Sequence, residues 1–91
     1  MQFEEVDAGG FRIYAGALET PKTRGFLAAV VVVRLHGDGR REEVFRDEDL
    51  GKGYSWRVAQ DALRHAVQCG RDVVMCRTGL QRGSLGLRTA A

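Results

Sequence analysis

FLAAVVVVRL, residues 26–35, is the only long apolar run in the chain. Its four consecutive valines, at positions 30–33, favour a β-strand, because a side chain branched at Cβ loses χ1 freedom in a helix and packs well on a pleated sheet. The run is far shorter than the roughly 20 apolar residues that a membrane-spanning helix needs. We therefore predict a central strand against which the rest of the domain packs.

Both sides of this predicted strand are apolar. Alternate residues of a strand point to opposite faces, and here only Arg34 and His36 interrupt one of the two sets. The uninterrupted set is Leu27, Ala29, Val31, Val33 and Leu35, and the other begins with Phe26, Ala28, Val30 and Val32. Such a pattern predicts a strand that is covered on both faces.

The segments around the central strand predict a meander. Residues 11–18 alternate between apolar and mixed positions, and residues 42–46 give a third strand. Turn signals separate these segments, namely the paired glycines at 9–10, the loop ETPKTRG at 19–25 and HGDGR at 36–40. Residues 2–7 are interpreted as either a short strand or an extended arm.

One helix is predicted, over residues 56–69. Ser55 would be its N-cap and Gly70 its C′ residue. At 100° per residue the apolar side chains fill about half of the helical wheel. The centre of that stripe consists of Ala59, Ala62 and Ala66, so the helix could lie close to a sheet. Residues 72–76, which include two valines, predict a short final strand.

These elements predict an α+β domain of order β-β-β-α-β over residues 1–76: a three-stranded antiparallel meander, one helix on one face of the sheet, and a short final strand. Residues 77–91 contain three arginines and no acid, and are predicted to form a flexible basic tail. The 91-residue length fits a single domain.

The two faces of the sheet can be assigned if the meander loops are centred near residues 22 and 39. The helix would then cover Phe11, Ile13 and the odd-numbered residues of the central strand. The opposite, outer face would have no cover within the chain, and it is our predicted interface or binding surface, formed by Arg12, Tyr14, Phe26, Val30, Val32, Arg34, Val44 and Arg46. With this assignment, glutamate at Val30 or Val32 should only disrupt binding, whereas Val31→Glu should unfold the chain.

The meander followed by the alanine-rich segment AQDALRHAVQCGRDVV, residues 59–74, resembles short bacterial proteins of unknown function. It is also similar, over residues 11–74, to the antitoxin domain of HicB-like systems, in which a three-stranded meander precedes a helix with regularly placed alanines. The resemblance implies a small α+β regulatory domain, but it assigns no functional residue.

Charge and cysteine content narrow the functional classes. The net charge is +2 in total, yet residues 1–76 hold 11 basic and 12 acidic side chains, so the body of the domain is not basic. Two cysteines and no signal-peptide pattern at the N-terminus predict reduced thiols and a cytoplasmic protein. No membrane association is predicted.

Several side-chain combinations contain residue types that bind metals or take part in catalysis. His36, His65, Cys69 and Cys76 include zinc ligand types, but no closely spaced ligand pair is present. The acidic run at 47–49 lacks the ligand order of a calcium loop, Ser55 and His65 lack a nucleophile motif, and Gly51-Lys52-Gly53 lacks P-loop spacing. We therefore predict no enzymatic activity, no catalytic or metal-binding residue and no cofactor, while a small-molecule or metal site near His65 and Cys69 remains an alternative.

Two functions fit the predicted outer face. A second copy of the protein could bury it, which predicts a homodimer and a protein–protein interaction module. Alternatively, Tyr14 and Phe26 beside Arg12, Arg34 and Arg46 could stack and neutralise a single-stranded nucleic acid. The slightly acidic body favours the homodimer.

Overall fold

The computed structural model describes residues 2–21 and 24–78. A four-stranded antiparallel sheet in the order β1-β2-β3-β4 is followed by one helix, so the fold is α+β with the order β-β-β-β-α. The elements are β1 (Gln2–Ala8), β2 (Phe11–Thr20), β3 (Gly25–Leu35), β4 (Arg41–Asp47) and α1 (Ala59–Thr78). The predicted α+β meander with a helix on one face is confirmed, but the meander has four strands instead of the predicted three, because residues 2–8 are a full strand paired along β2.

The predicted final strand is wrong, because residues 72–76 continue the helix. Val73 and Val74 pack against the core from the helix, and this burial outweighs a β preference that spans only about 1 kcal/mol. The helix also includes Arg77 and Thr78, so the predicted boundary between domain and tail at residue 76 falls inside it. The rest of the predicted tail, residues 79–91, lies outside the described residues.

Both predicted ends of the helix are also wrong. The carbonyl of Val58 accepts from the backbone N–H groups of Asp61 and Ala62, at 3.1 and 3.3 Å, so the helix begins after Val58 and Ser55 is not its N-cap. Gly70 lies inside the helix and is buried. A Cβ there would be only 2.5 Å from Cγ2 of Ile13, so this glycine permits close contact with β2. Packing, not helix termination, explains the glycine.

The core lies between the helix and one face of the sheet, which we call the helix face. The alanine stripe is buried there as predicted, together with Leu63. The strand residues beneath it are Phe11, Ile13, Ala15, Ala17, Ala28, Val30 and Val32. The even-numbered residues of β3 therefore face the helix, which reverses our prediction for this strand.

A shift of one residue in the β2–β3 pairing explains the reversal. Thr20 pairs with Gly25, and Ile13 pairs with Val32 instead of the predicted Val31. The β2–β3 pairing is thus one residue out of step with the predicted turn centred on residue 22, and a shift of one residue in register exchanges every side chain between the two faces. Since both sets of residues in 26–35 are apolar, hydrophobicity alone could not distinguish the two registers.

The connection from β4 to the helix extends the sheet locally. The backbone groups of Phe26 and Trp56 exchange hydrogen bonds of 2.7 and 2.8 Å, and the N–H of Leu50 donates to the carbonyl of Ala28 at 2.9 Å. Gly25 is required for this contact, because a Cβ there would be 2.7 Å from the carbonyl oxygen of Trp56. The beginning of β3, which β4 does not reach, is therefore paired.

Candidate functional site

The predicted site residues divide between the two faces of the sheet. Arg12, Tyr14 and Arg46 lie on the face opposite the helix, which we call the outer face, as predicted. Val30 and Val32 are 1% and 0% exposed beneath the helix, so their predicted place on the outer face is wrong. The one-residue shift in the β2–β3 pairing places both valines on the helix face.

The other three predicted residues also lie away from the outer face. Phe26 packs against the core beside the Trp56 bridge. Arg34 is on the helix face, with its guanidinium carbon 5.9 Å from the centre of the Phe11 ring. Val44 has no cross-strand partner, because the register shifts between Val32 and Val33 and leaves it as the extra residue of a β-bulge.

The outer face has an apolar region that the predicted set did not include. Leu27, Ala29, Val31, Val33 and Leu35 project from β3 as a continuous row, and none of them is fully buried. Leu18 of β2 and Phe3 of β1 extend the region sideways. Phe3 is 70% exposed, the largest value among the large hydrophobic side chains that the structure describes as exposed. Only the sequence alternation of Phe3, Glu5 and Asp7 could have indicated that this residue shares a face with Tyr14.

A hollow lies within the apolar region. Gly16 and Ala29 are neighbours across β2 and β3, and their small size leaves a depression of about 300 Å³ on the outer face. It is lined by Phe3, Tyr14, Leu18 and Val31, and on the β4 side by Arg46 and Glu48. A Cβ at Gly16 would be 3.1 Å from Cε1 of Phe3, so the Phe3 ring leans over this glycine.

Charged side chains on the β1–β2 side of the outer face are paired within the chain. Arg12 donates a hydrogen bond to Glu5, and its Nε lies 3.3 Å from Oδ1 of Asp7 without hydrogen-bond geometry. The hydrogen bond to Glu5, followed by the charge of Asp7, raises the pKa of Arg12 above its ordinary value. The positive charge of Arg12 is therefore balanced by the carboxylates of Glu5 and Asp7.

The β4 side has a second paired group. Arg46 donates to both carboxylate oxygens of Glu43, at 2.9 and 3.0 Å, and to Glu48 at 2.8 Å. These hydrogen bonds raise the pKa of Arg46, and the same contact lowers the pKa of Glu43. Arg41 donates to the hydroxyl of Tyr14 at 3.1 Å. The outer face and its rim thus combine three arginines with four carboxylates, those of Glu5, Asp7, Glu43 and Glu48, which does not favour a polyanion.

The residues considered for metal or acid–base chemistry have other contacts. No group of three or more His, Cys, Asp or Glu side chains that could hold a metal ion occurs within residues 2–21 and 24–78. His65 stacks on Trp56 with the ring centres 4.9 Å apart. Cys69 is half-buried, and burial raises the pKa of its thiol, which disfavours the reactive thiolate.

The acidic run at 47–49 organises the loop that follows β4. Oδ1 of Asp47 accepts from the N–H of Asp49 at 3.0 Å, and Oδ1 of Asp49 accepts from the N–H of Gly53 at 3.1 Å. Two of the three carboxylates therefore contribute to turn structure. Ser55 packs beside Gly25, because a Cβ added at Gly25 would be 3.0 Å from Oγ of Ser55.

Comparison of the chain with protein-family models, with curated proteins and with solved structures found no match. The resemblance to HicB-like antitoxins therefore stays a prediction. Within the described part of the chain, no helix is long and apolar enough to cross a membrane.

Proposed function

We propose that this protein is a small, non-enzymatic interaction module that forms a homodimer through the outer face of its sheet. One observation supports this most directly: a contiguous apolar region, centred on Gly16 and Ala29 and bounded by Phe3, faces away from the only described helix. Soluble monomers seldom expose large contiguous apolar patches, and such patches usually mark interaction sites.

The dimensions of the face indicate the strength of the contact. Four strands of 7 to 11 residues, spaced about 4.8 Å apart and rising about 3.4 Å per residue, give a projected area of about 570 Å². This is less than the about 800 Å² per partner that a standard protein–protein interface buries. A face below the standard size is typical of weak, transient interfaces, so we expect a dimer that dissociates on dilution.

The charges at the rim favour a second copy over a nucleic acid. Since Arg12 and Arg46 carry carboxylate partners, two rims can approach each other without uncompensated like charges. A nucleic acid would have to displace those carboxylates, and the face offers no excess of positive charge to attract it.

Sedimentation velocity of the intact chain across micromolar concentrations tests the proposal. The wild type should be a concentration-dependent dimer, and Val31→Glu should be a folded monomer, because it places a charge in the centre of the contact without touching the core. Gln60→Glu is the matched control, since it adds the same charge on the exposed surface of the helix and should leave the dimer unchanged.

A wild type that stays monomeric at several hundred micromolar would rule the proposal out. Fluorescence anisotropy with single-stranded RNA and DNA at about 50 mM salt tests the nucleic-acid alternative, because electrostatic binding is strong at low salt. We expect no binding there, and saturable binding that Val31→Glu abolishes would favour the alternative.

A further inference from the structure

The outer face has a projecting aromatic ring beside a hollow. Phe3 belongs to the edge strand β1 and is 70% exposed. Gly16 is its direct neighbour on β2, and Ala29 is the next residue across on β3. The ring also forms one wall of the hollow, since its Cε1 would be 3.1 Å from a Cβ at Gly16, and its exposed side is the part that can reach a second copy.

This arrangement is complementary to itself. In a two-fold symmetric dimer each surface patch contacts the same patch of the other copy. The projection of each copy can therefore enter the hollow of the other, which gives two equivalent contacts. Packed sheets are about 10 Å apart, a distance that interdigitating side chains span. A flat apolar face has no feature that would fix the relative position of the two copies.

We infer that each copy inserts its Phe3 ring into the Gly16–Ala29 hollow of the other copy, an inference that rests on the proposed homodimer. Buried aromatic anchors near the centre of an interface dominate binding energy. The paired charges of Arg46 and Glu48 line the β4 side of the hollow and would border the inserted ring there.

Two variants separate the ring from the hollow. Phe3→Ala removes the projecting ring together with one wall of the chain's own hollow, and Ala29→Leu fills the hollow. Phe3 is exposed and Ala29 is half-buried on the outer face, outside the core, so circular dichroism should show wild-type folding for each. Sedimentation equilibrium should show each variant dimerising at least about tenfold more weakly than the wild type, the effect expected for loss of an anchor residue.

An equimolar mixture of the two variants gives the decisive readout. The Phe3 ring of the Ala29→Leu chain can enter the hollow of the Phe3→Ala chain, which has lost its own Phe3 wall but keeps Tyr14, Leu18 and Val31, while the second hollow is filled and faces no ring. Native mass spectrometry, which distinguishes the chains by mass, should therefore show the heterodimer in excess of both homodimers. A contact that depends only on apolar area predicts a statistical mixture instead.

The outcomes distinguish this inference from the proposed function. A monomeric wild type would overturn both. A wild-type dimer that Val31→Glu disrupts, but that Phe3→Ala leaves unchanged, would overturn the inference and keep the outer-face homodimer. Weakening by both variants without preferential heterodimer formation would also overturn the exchange of rings.

Discussion

Gly70 of the helix lies directly over Ile13 of β2, so close that a Cβ at position 70 would be 2.5 Å from Cγ2 of the isoleucine. Ile13 is 0% exposed and cannot move away without disturbing its neighbours. The helix and the sheet therefore meet at a point where only a glycine fits.

Gly70→Ala should destabilise the protein, against the usual trend. Alanine in the middle of a helix is normally favoured over glycine by about 1 kcal/mol. Overpacking a tight core costs about 1–3 kcal/mol, and the contact at Ile13 is shorter than a normal carbon–carbon contact. We expect a net loss in the free energy of unfolding, measured by urea denaturation. In an Ile13→Ala background, which removes the opposing atoms, the same change should be neutral or stabilising.

Val32→Glu should unfold the chain, whereas Val33→Glu should fold. Val32 is fully buried beneath the helix, and an unpaired carboxylate there cannot be solvated. Val33 is half-buried on the outer face, where a carboxylate keeps access to water, so its cost should be well below that of a buried charge. Thermal denaturation followed by circular dichroism measures both, and a folded Val32→Glu would contradict the observed register.

Arg77→Met should loosen the end of the helix. The Arg77 guanidinium donates to the carbonyl of Val44, at the β-bulge, with a distance of 3.0 Å. Methionine has a similar helix propensity, so the change removes mainly this hydrogen bond, worth about 0.5–1.5 kcal/mol. Amide hydrogen exchange should accelerate in the last helical turn and in β4. Arg71→Met is the control, because Arg71 has no hydrogen bond or ion pair to the described residues.

Glu42 should contribute to stability above its ordinary pKa of 4.5 and lose that contribution in acid. A hydrogen bond from His36, with Nε2 and Oε1 2.9 Å apart, lowers the pKa of Glu42, and the charges of His36, Arg34 and Arg77 add to the effect. Because the folded pKa lies below the unfolded one, the contribution is complete above 4.5 and disappears as the pH falls through the folded pKa.

An NMR titration of the Glu42 side chain measures this effect. In His36→Ala the pKa should rise toward 4.5, since the largest cause of the shift is removed. Glu42→Gln should show a smaller loss of melting temperature than the wild type as the pH is lowered. A Glu42 pKa that does not respond to His36→Ala would contradict the contact.

The main elements of the sheet and helix follow from local sequence patterns. The valines at 30–33 identify β3, the glycine pairs and loops separate the strands, and the alanine stripe identifies the buried side of the helix. Each of these three signals is a difference in residue type between neighbouring positions, which the sequence shows directly. Both ends of the helix were predicted wrongly. In the sequence alone Gly70 looks like a C′ residue and Ser55 like an N-cap, and only their tertiary contacts, with Ile13 and Gly25, show that they have other roles.

The candidate site was less predictable, since it depends on strand register. Both sides of β3 are apolar, so a shift of one residue in the β2–β3 register decides which alternate set of β3 side chains packs against the helix. The face of Val30 and Val32 was therefore wrongly predicted, and Phe3 was omitted because a long-range pairing places it beside Gly16. Arg12 and Tyr14 were correctly placed on the outer face, because β2 has polar and apolar residues on identifiable sides. Arg46 was also placed correctly, whereas Val44 of the same strand was not, because of the β-bulge.

Trp56 gives the chain a built-in optical probe. It is the only tryptophan, its ring contacts Tyr54 and His65, and its backbone is bonded to Phe26 at the start of β3. Any separation of the helix from the sheet would change the surroundings of the indole and hence its emission. Because the bridge lies apart from Phe3 and the hollow, fluorescence can follow unfolding while sedimentation follows assembly, so the two equilibria can be measured in the same sample.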